Sequence, residues 1–278
     1  MLQTMKPSLL FVIAALFMLA NQAWNDVDDK LHIQWKNNIL SISGGPLSGK
    51  QMEILYIEAF CRTGSTSRKW EETTIPHTTA LISDSTDREN IQLKTIVHPS
   101  VEVIHTITAG KDEITFDLTL TNHGSESVDI DWFQPCIRVD RFTGRNQNNY
   151  ISRSFIFTSK GITTLDKTRR TEEALYKGGQ VYVPSGIDLK NVNPRPISAD
   201  QPVNGLIGCF SDDGKYLMAT AWSDYQELFQ GIFVCLHSDP RIGGLKAGEV
   251  KKLRGKIYIL KNDTEELMRR YRSDFKKQ

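Results

Sequence analysis

The 278-residue sequence lacks the short motifs that mark several common active sites. It has no Gly-Lys-Ser/Thr phosphate loop, no Gly-x-Ser-x-Gly turn and no His-Glu-x-x-His helix, which excludes the sites that depend on them. Its four cysteines also show none of the close pairs typical of zinc-binding sequences. From motifs alone we therefore predict no metal and no cofactor.

An excess of charge of one sign is also missing. The chain carries 34 basic and 33 acidic residues, a formal net charge of +1. Lys6 is the one charged residue of segment 1–23, so the rest of the chain is formally neutral. This balance gives no general electrostatic attraction to nucleic acid or to an anionic membrane. We predict a monomer with no nucleic-acid partner.

Long apolar runs are confined to the N-terminus. Residues 9–19, LLFVIAALFML, follow Lys6 and precede the small residues Ala20 and Ala23. A basic residue, a short apolar run and small residues together predict a secretory signal peptide over residues 1–23. The run is shorter than the about 20 residues that a membrane span needs. We expect a secreted or periplasmic protein with no membrane span after cleavage; an uncleaved anchor is the alternative.

The four cysteines, Cys61, Cys136, Cys209 and Cys235, leave two interpretations open. Export permits disulfides, and four cysteines allow three pairings. Cys209 and Cys235 lie inside apolar runs typical of strands, where a free thiol packs like a small apolar side chain. The chain therefore has either buried free thiols or one or two disulfides.

Alternation of apolar and polar residues dominates the rest of the chain. It is clearest in residues 114–144, where Ile114, Phe116, Leu118 and Leu120 alternate with polar residues and predict a half-buried strand. A turn at residues 122–125 and strands over residues 128–133 and 136–142 are predicted to follow. Similar runs recur from residue 31 to residue 260, with hairpin turns predicted at residues 36–38, 98–100 and 211–214. We predict a mainly β fold, one large antiparallel β-sandwich domain over residues 24–278.

Two stretches depart from this pattern. Residues 164–204 have little apolar period and contain four prolines, which predicts a long irregular loop that either crosses one face or is partly disordered. Asp263 begins a predicted C-terminal helix, with Glu266 as its capping-box partner. Leu267, Tyr271 and Phe275 recur on one face of that helix, so we expect it to dock on the sheet.

A family resemblance enters at the run FDLTLTNHGSESVDIDW, residues 116–132. It resembles the central hairpin of galactose-mutarotase-like supersandwich proteins, with Leu120-Thr121-Asn122 and Trp132-Phe133-Gln134-Pro135 in the corresponding places. The chain as a whole also resembles exported bacterial β-sandwich proteins that accompany sugar metabolism. The resemblance implies a large concave sheet that holds a saccharide. The Asn-x-x-His-x-Tyr catalytic element of the sugar epimerases is absent, because His123 falls in the turn, so their chemistry does not carry over.

Trp132, Gln134, Arg138 and Asp140 are the candidate substrate-binding residues. An aromatic ring stacks on the apolar face of a sugar, and guanidinium, amide and carboxylate groups hydrogen-bond to its hydroxyls. The alternative is structural. Trp132 then packs in the core with Val128 and Ile130, and Arg138 pairs with Asp140 at the surface.

His237, Asp239 and Glu58 are the candidate catalytic residues. His237-Ser238-Asp239-Pro240 follows an apolar run, so we expect a strand end where imidazole and carboxylate serve as an acid/base pair. The alternative is an Asp-Pro turn with a histidine beside it. Glu58 lies in an apolar strand and is either a general base with a raised pKa or half of an ion pair.

These patterns predict an exported protein that binds or processes carbohydrate, with a saccharide as its ligand and with the reaction left open. The first alternative is a non-catalytic structural or interaction module of the cell envelope, which predicts a flat sheet and no deep pocket. The second is a metal-dependent enzyme that uses His237 and Asp239 as ligands.

Overall fold

The computed structural model describes residues 30–276 apart from residues 48, 145 and 146, so the predicted signal peptide lies outside the described residues. Within them the chain folds mainly into strands. In chain order these are β1 (Leu31–Lys36), β2 (Ile39–Gly44), β3 (Met52–Cys61), β4 (Thr74–Ile75), β5 (His77–Asp84), β6 (Asn90–Val97), β7 (Val101–Ala109), β8 (Glu113–Asn122), β9 (Trp132–Arg138), β10 (Ser154–Thr158), β11 (Gly161–Thr164), β12 (Gln180–Tyr182), β13 (Ile207–Phe210), β14 (Tyr216–Trp222), β15 (Tyr225–Gln230), β16 (Cys235–Pro240) and β17 (Val250–Lys261). The helices are α1 (Trp70–Thr73), α2 (Asp140–Thr143), α3 (Gln147–Arg153), α4 (Glu172–Lys177) and α5 (Thr264–Asp274).

The strands form two antiparallel sheets. Sheet A has the order β1-β2-β3-β9-β16-β15-β12, with β4 paired to β3, and sheet B has the order β11-β10-β13-β14-β17-β8-β7-β6-β5. Neighbours in sheet A such as β9 and β16 lie far apart in sequence, whereas β5 to β8 of sheet B follow one another as a meander. The predicted fold class, a large antiparallel β-sandwich with one short helix near the C-terminus, is confirmed.

The two sheets enclose a shared apolar core. Leu118 and Leu120 of β8 and Phe133 and Ile137 of β9 are buried in the same cluster. Because side chains alternate along a strand, each strand gives every second residue to this core. Full burial of a side chain of this size contributes about 1.5–3 kcal/mol. The opposite faces of the sheets are left for helices and loops.

Several predicted turns are present. Asn37 and Asn38 join β1 to β2 with φ of 51° and 63°, the left-handed backbone that a two-residue hairpin needs. The predicted hairpins across residues 98–100 and 211–214 also form, between β6 and β7 and between β13 and β14.

Residues 114–144 contain strands β8 and β9, whereas three strands were predicted there. β8 and the turn after Asn122 are present, but residues 123–131 form a loop, with an isolated bridge at Val128. The backbone groups of this loop bond to residues 242–245 instead of a strand; Leu245 O accepts from Val128 N at 2.8 Å. The predicted strand over residues 136–142 is wrong, because β9 ends at Arg138 and α2 begins at Asp140.

The C-terminal helix α5 forms where it was predicted. The Asp263 side chain accepts hydrogen bonds from the backbone N–H groups of Glu265 and Glu266. Leu267 is buried and Tyr271 is half-buried against an apolar cluster on the outer face of sheet B. The prediction that the helix docks on the sheet is therefore confirmed. The Glu266 side chain bonds to arginines of the next turn and does not complete the capping box.

The segment predicted as an irregular loop over residues 164–204 contains α4 and β12, and its second part, residues 183–204, has neither helix nor strand. That part crosses the face of sheet A that is turned away from sheet B. Asn191 O accepts a hydrogen bond from the Gln226 side chain, and Asn193 N donates one to Glu227. Among the residues described, none of the helices is long and apolar enough to cross a membrane.

Candidate ligand-binding cleft

The outer face of sheet A, the face turned away from sheet B, carries polar side chains at alternating positions. In β9, Ile137 enters the core, so Gln134 and Cys136 point outward. In β16, Leu236 enters the core, and the outer row of that strand is Cys235, His237 and Asp239. Sequence neighbours are thereby separated, and residues two apart are placed side by side.

His237 lies at the centre of this row. Its Nε2 is 3.3 Å from Sγ of Cys235, and its Nδ1 is 3.9 Å from Oδ1 of Asp239. Cys136 completes a cluster in which one potential ligand atom from each of Cys136, Cys235 and His237 lies within 4.8 Å of the others. The neighbouring Cys235 thiol, together with burial, raises the pKa of the Cys136 thiol. An imidazole between thiol and carboxylate groups can transfer a proton or bind a metal.

Carboxyl groups are buried behind this cluster. Asp239 and Glu227 are paired residues of β16 and β15, and both are completely buried. Burial raises the pKa of Glu227 to about 8, and burial followed by repulsion from Glu227 raises the pKa of Asp239 well above its ordinary value. Neither oxygen of Asp239 has a hydrogen-bond partner within the described part of the chain.

Two adjoining cavities open over the cluster, and together we call them the cleft. The first, of about 360 Å³, is lined by Gln134, Cys136, Cys235 and His237 at its floor and by the side chains Glu58, Arg68, Trp70, Asn193, Pro194, Arg195, Phe229, Ile232 and Phe233. The second, of about 560 Å³, is lined by Gln51, Glu53, Leu55, Glu58, Cys136, Arg138, Asp140, Arg141, Phe233, Val234 and Cys235. Glu58, Cys136, Phe233 and Cys235 belong to both cavities. The volumes fall in the range of small-molecule sites.

Two loops hold the first cavity in shape. Asn193 donates from Nδ2 to Oε1 of Gln134 at 3.3 Å, while its backbone N–H donates to Glu227 at 2.9 Å. Asn191 accepts from the backbone N–H of Gly64 at 2.8 Å, which joins this loop to the loop before α1. The irregular segment 183–204 is therefore bonded both to sheet A and to the loop before α1.

The structure brings most of the predicted site residues into the cleft. Gln134 and His237 line the first cavity, Arg138 and Asp140 line the second, and Glu58 lines both. Glu58 is exposed, and no residue of the described chain pairs with it. Within the part of the chain that the structure describes, it is therefore neither a buried carboxylate nor half of an ion pair. Asp239 lines neither cavity and lies behind His237.

Trp132 differs from its predicted role as a surface for a sugar ring. Its indole is completely buried, and Nε1–H donates to Oγ of Ser65 at 3.3 Å. The structural alternative holds, although the buried neighbours are Ala59 and Cys61 and not Val128 and Ile130. The exposed ring at this end of the cleft is Trp70, whose centroid lies 6.4 Å from that of Trp132.

Two further local predictions are corrected. His237 and Asp239 do not lie in a turn, because β16 continues to Pro240 and pairs them with Phe229 and Glu227 of β15. Arg138 does not pair with Asp140; its guanidinium lies 3.6 Å from Glu53 on β3. In both places the partner comes from a distant strand that sequence spacing cannot show.

All four cysteines are buried free thiols in the structure, the first of the two interpretations left open by the sequence. Sequence reasoning did not connect Cys136 and Cys235 with His237. The signal was present as the alternation Cys-x-His-x-Asp over residues 235–239, which places three reactive groups on one face of a strand. Trp70, Asn193 and Phe233 gave no such signal, because Trp70 lies in the one-turn helix α1, Asn193 in an irregular segment and Phe233 at a hairpin tip.

No protein-family model matches the chain, and no relative is found among curated proteins. Solved structures do resemble it. The Slr1438 protein of Synechocystis sp. PCC 6803 has 9% sequence identity and a TM-score of 0.48 over 83% of this chain and 95% of that one. A galactose mutarotase related enzyme from Lactobacillus acidophilus has 10% sequence identity and a TM-score of 0.44, over 82% of this chain and 97% of that one. A galactose mutarotase-like protein from Lactobacillus casei has 10% sequence identity and a TM-score of 0.45, over 82% of this chain and 99% of that one.

The weak resemblance to galactose-mutarotase-like proteins that the hairpin predicted is thus found again in the structure. At these identities and TM-scores it carries no conclusion about activity. The function has to be argued from the cleft.

Proposed function

We propose that the cleft binds a saccharide. The observation that carries the proposal is the pairing of exposed aromatic rings with planar polar side chains in one cavity. Trp70 is 37% exposed and Phe233 is 82% exposed, and both line the first cavity with Gln134 and Asn193. Aromatic faces stack on the C–H faces of a sugar, and amide groups both donate to and accept from its hydroxyls.

The charged lining supports the same ligand class. Arg68 and Arg195 line the first cavity, and Arg138 and Arg141 line the second, opposite in charge to Glu58 and Asp140. Guanidinium groups bind vicinal oxygens in a fork, and carboxylates accept from hydroxyl pairs. A site with both signs fits a ligand that presents many donors and acceptors on a small ring.

Carbohydrate processing is the finer form of the proposal, with Glu58 and His237 in the roles of acid and base. Glu58 is exposed in both cavities and has no partner among the described residues, so it is free to contact a ligand. His237 lies on the floor of the first cavity. Asp239 does not touch the cavity and acts on His237 as a positioning residue. A non-catalytic envelope module is the competing proposal. That proposal predicts a flat sheet without a deep pocket, and the two cavities of the cleft favour ligand binding instead.

A glycan-binding screen with the purified protein tests the proposal. We expect at least one saccharide to bind, and Trp70→Ala and Phe233→Ala to weaken that binding at least tenfold. Val250→Ala is the matched control, because Val250 is an exposed apolar residue of sheet B, and binding should not change. If no saccharide binds, or if both aromatic variants bind like the wild type, the proposal is wrong.

Processing is tested on the saccharide that the screen identifies. We expect Glu58→Gln to abolish a change in anomer or chain length while binding persists, because the amide keeps the shape but cannot transfer a proton. Unchanged product formation in this variant would remove Glu58 from the mechanism.

We also propose export, on the basis of the signal peptide predicted over residues 1–23. Expression of the 278-residue chain, cell fractionation and mass spectrometry of the product test it. We expect an N-terminus after Ala20 or Ala23 in the secreted or periplasmic fraction. A cytoplasmic product that retains Met1 contradicts export.

A further inference from the structure

Two thiols and an imidazole meet at the floor of the first cavity, in an arrangement that saccharide binding does not require. Cys136 and Cys235 come from neighbouring strands, and His237 follows Cys235 by two residues. The three potential ligand atoms lie within 4.8 Å of one another. A nucleophile with a general base needs one thiol, so the second thiol calls for another explanation.

We infer that Cys136, Cys235 and His237 form a Zn²⁺ site that faces the cleft. Two thiolates and one imidazole are ligands that zinc prefers, and three protein ligands with an open fourth position are typical of zinc sites that act on a ligand. All three residues line the first cavity, so the fourth position faces it. Water or an oxygen of the bound molecule would occupy that position.

The distances fit such a site. Zinc binds sulfur at about 2.3 Å and nitrogen at about 2.0 Å, which at a tetrahedral angle places the two atoms about 3.5 Å apart. Sγ of Cys235 and Nε2 of His237 are 3.3 Å apart. Two sulfurs on one zinc are about 3.8 Å apart by the same geometry, which is inside the 4.8 Å that encloses the cluster.

The charges fit as well. Cys136, Cys235 and His237 are all at least nine-tenths buried, so an ion held there must be neutralised by its ligands. Two thiolates cancel the charge of Zn²⁺ when the thiols lose their protons on binding. A closed shell of four thiolates would leave two negative charges in this buried place.

Asp239 supplies a second and independent observation. Nδ1 of His237 and both oxygens of Asp239 are buried and have no hydrogen-bond partner in the described chain, although Nδ1 and Oδ1 are 3.9 Å apart. Zinc at Nε2 places the ring proton on Nδ1, which then donates toward Asp239. A carboxylate behind a ligating histidine is the usual arrangement in zinc sites.

Gly231 leaves the room that the cluster needs. A Cβ at this position would lie 2.2 Å from Sγ of Cys235 and 3.4 Å from Nε2 of His237. The hairpin between β15 and β16 therefore passes close to two of the proposed ligands. The inference goes beyond saccharide binding, and it changes the role of His237 from proton transfer to metal ligation.

Metal analysis of the purified protein tests the site. We expect about one Zn²⁺ per chain, and a loss of at least 90% of it in Cys136→Ser, Cys235→Ser and His237→Ala. Cys61→Ala is the matched control, because Cys61 is a buried thiol on neighbouring β3 that lies outside the cluster. That variant should keep its zinc.

Cobalt substitution gives a readout that does not depend on how the variants fold. Co²⁺ added to the metal-free wild type should produce a near-ultraviolet band from thiolate-to-cobalt charge transfer and the visible bands of a tetrahedral ion. Cys136→Ser and Cys235→Ser, which are expected to lose the metal, should show less than a tenth of the charge-transfer band. An absence of zinc and of these bands, or a Cys136–Cys235 disulfide in protein purified without oxidant, overturns the inference. None of these results depends on whether a saccharide binds.

Discussion

Glu227 and Asp239 lie opposite each other in β15 and β16, and both carboxyl groups are completely buried on the outer side of sheet A. Glu227 accepts one hydrogen bond from Asn193 N, while its Oε2 has no partner in the described chain. Two ionised carboxylates cannot share such a place without a large loss of hydration. The pair is therefore protonated at least once in the folded protein at neutral pH.

The stability that protonated Glu227 contributes should fall as pH rises from 5 to 8. The unfolded chain loses the Glu227 proton near pH 4.5, whereas burial keeps the pKa of the folded residue at about 8. Between these values the folded state holds the extra proton, so this contribution to the free energy of unfolding decreases with pH, by as much as about 1.4 kcal/mol per pH unit. Urea unfolding at four pH values measures this slope. Glu227→Gln should flatten it and exposed Glu58→Gln should not; an equal slope in both variants contradicts the assignment.

Acid sensitivity below pH 6.5 should come from His105. Its ring bonds to Tyr56 Oη at 3.2 Å and Thr95 Oγ1 at 2.9 Å inside the core, and burial lowers its pKa to about 3. Between pH 6.5 and 3 the unfolded state holds the extra proton, so stability is lost as pH falls through this range.

His105→Phe tests this residue by chemical unfolding at pH 4 and pH 7. We expect the variant to be less stable at pH 7 by about 1–3 kcal/mol, because the Tyr56 hydroxyl loses its partner. The difference from the wild type should shrink at pH 4. The exposed His123→Phe serves as the control and should leave the profile unchanged.

The cap of α5 should be measurable as a single interaction. Oδ1 of Asp263 accepts from the N–H groups of Glu265 and Glu266, each at 3.0 Å. Asp263→Ala should lower the free energy of unfolding by about 1 kcal/mol, and Asp263→Asn should restore most of it, because asparagine also accepts at this position. Thermal unfolding followed by circular dichroism measures the stability of both variants. Equal melting temperatures for the alanine variant and the wild type contradict the role of the cap.

Gly255 should resist substitution by alanine. A Cβ on Gly255 would lie 2.6 Å from the Trp222 ring. That ring packs edge-on against Phe133, with 5.2 Å between the two ring centroids. Gly255→Ala should therefore displace Trp222 and destabilise the protein by about 1–3 kcal/mol, as overpacked cores do. Gly110→Ala is the control, because its Cβ would meet its nearest atom at 3.4 Å. Tryptophan fluorescence and urea unfolding report both effects.

Much of the fold could be predicted because its signals are local. Alternation marked β8, paired asparagines marked the β1–β2 hairpin, and Asp263 with Leu267 marked α5. Each of these depends on residues within one strand, turn or helix. The errors fell where a distant segment supplies the hydrogen bonds, as residues 242–245 do for the loop before β9.

The cleft could be predicted only in part. Gln134, Arg138, His237 and Glu58 were found as polar residues in or beside apolar strands, which is a property of the sequence. Their convergence depends on β3, β9 and β16 being neighbours, although residues 139–234 separate the last two strands. No periodicity within a strand records which strand lies beside it.

The sequence by itself determined the β-sandwich class, because a period of two needs no partner to be recognised. It also determined which side chains of each strand share a face. The tertiary structure alone decided that Cys136 meets Cys235 and His237, and that Trp132 is buried while Trp70 is exposed. It also decided that Asp239 lies beside the His237 imidazole without a hydrogen-bond partner among the described residues. The physical reason is that strand pairing is set by burial of the whole sheet, and chemistry on its outer face follows from that pairing.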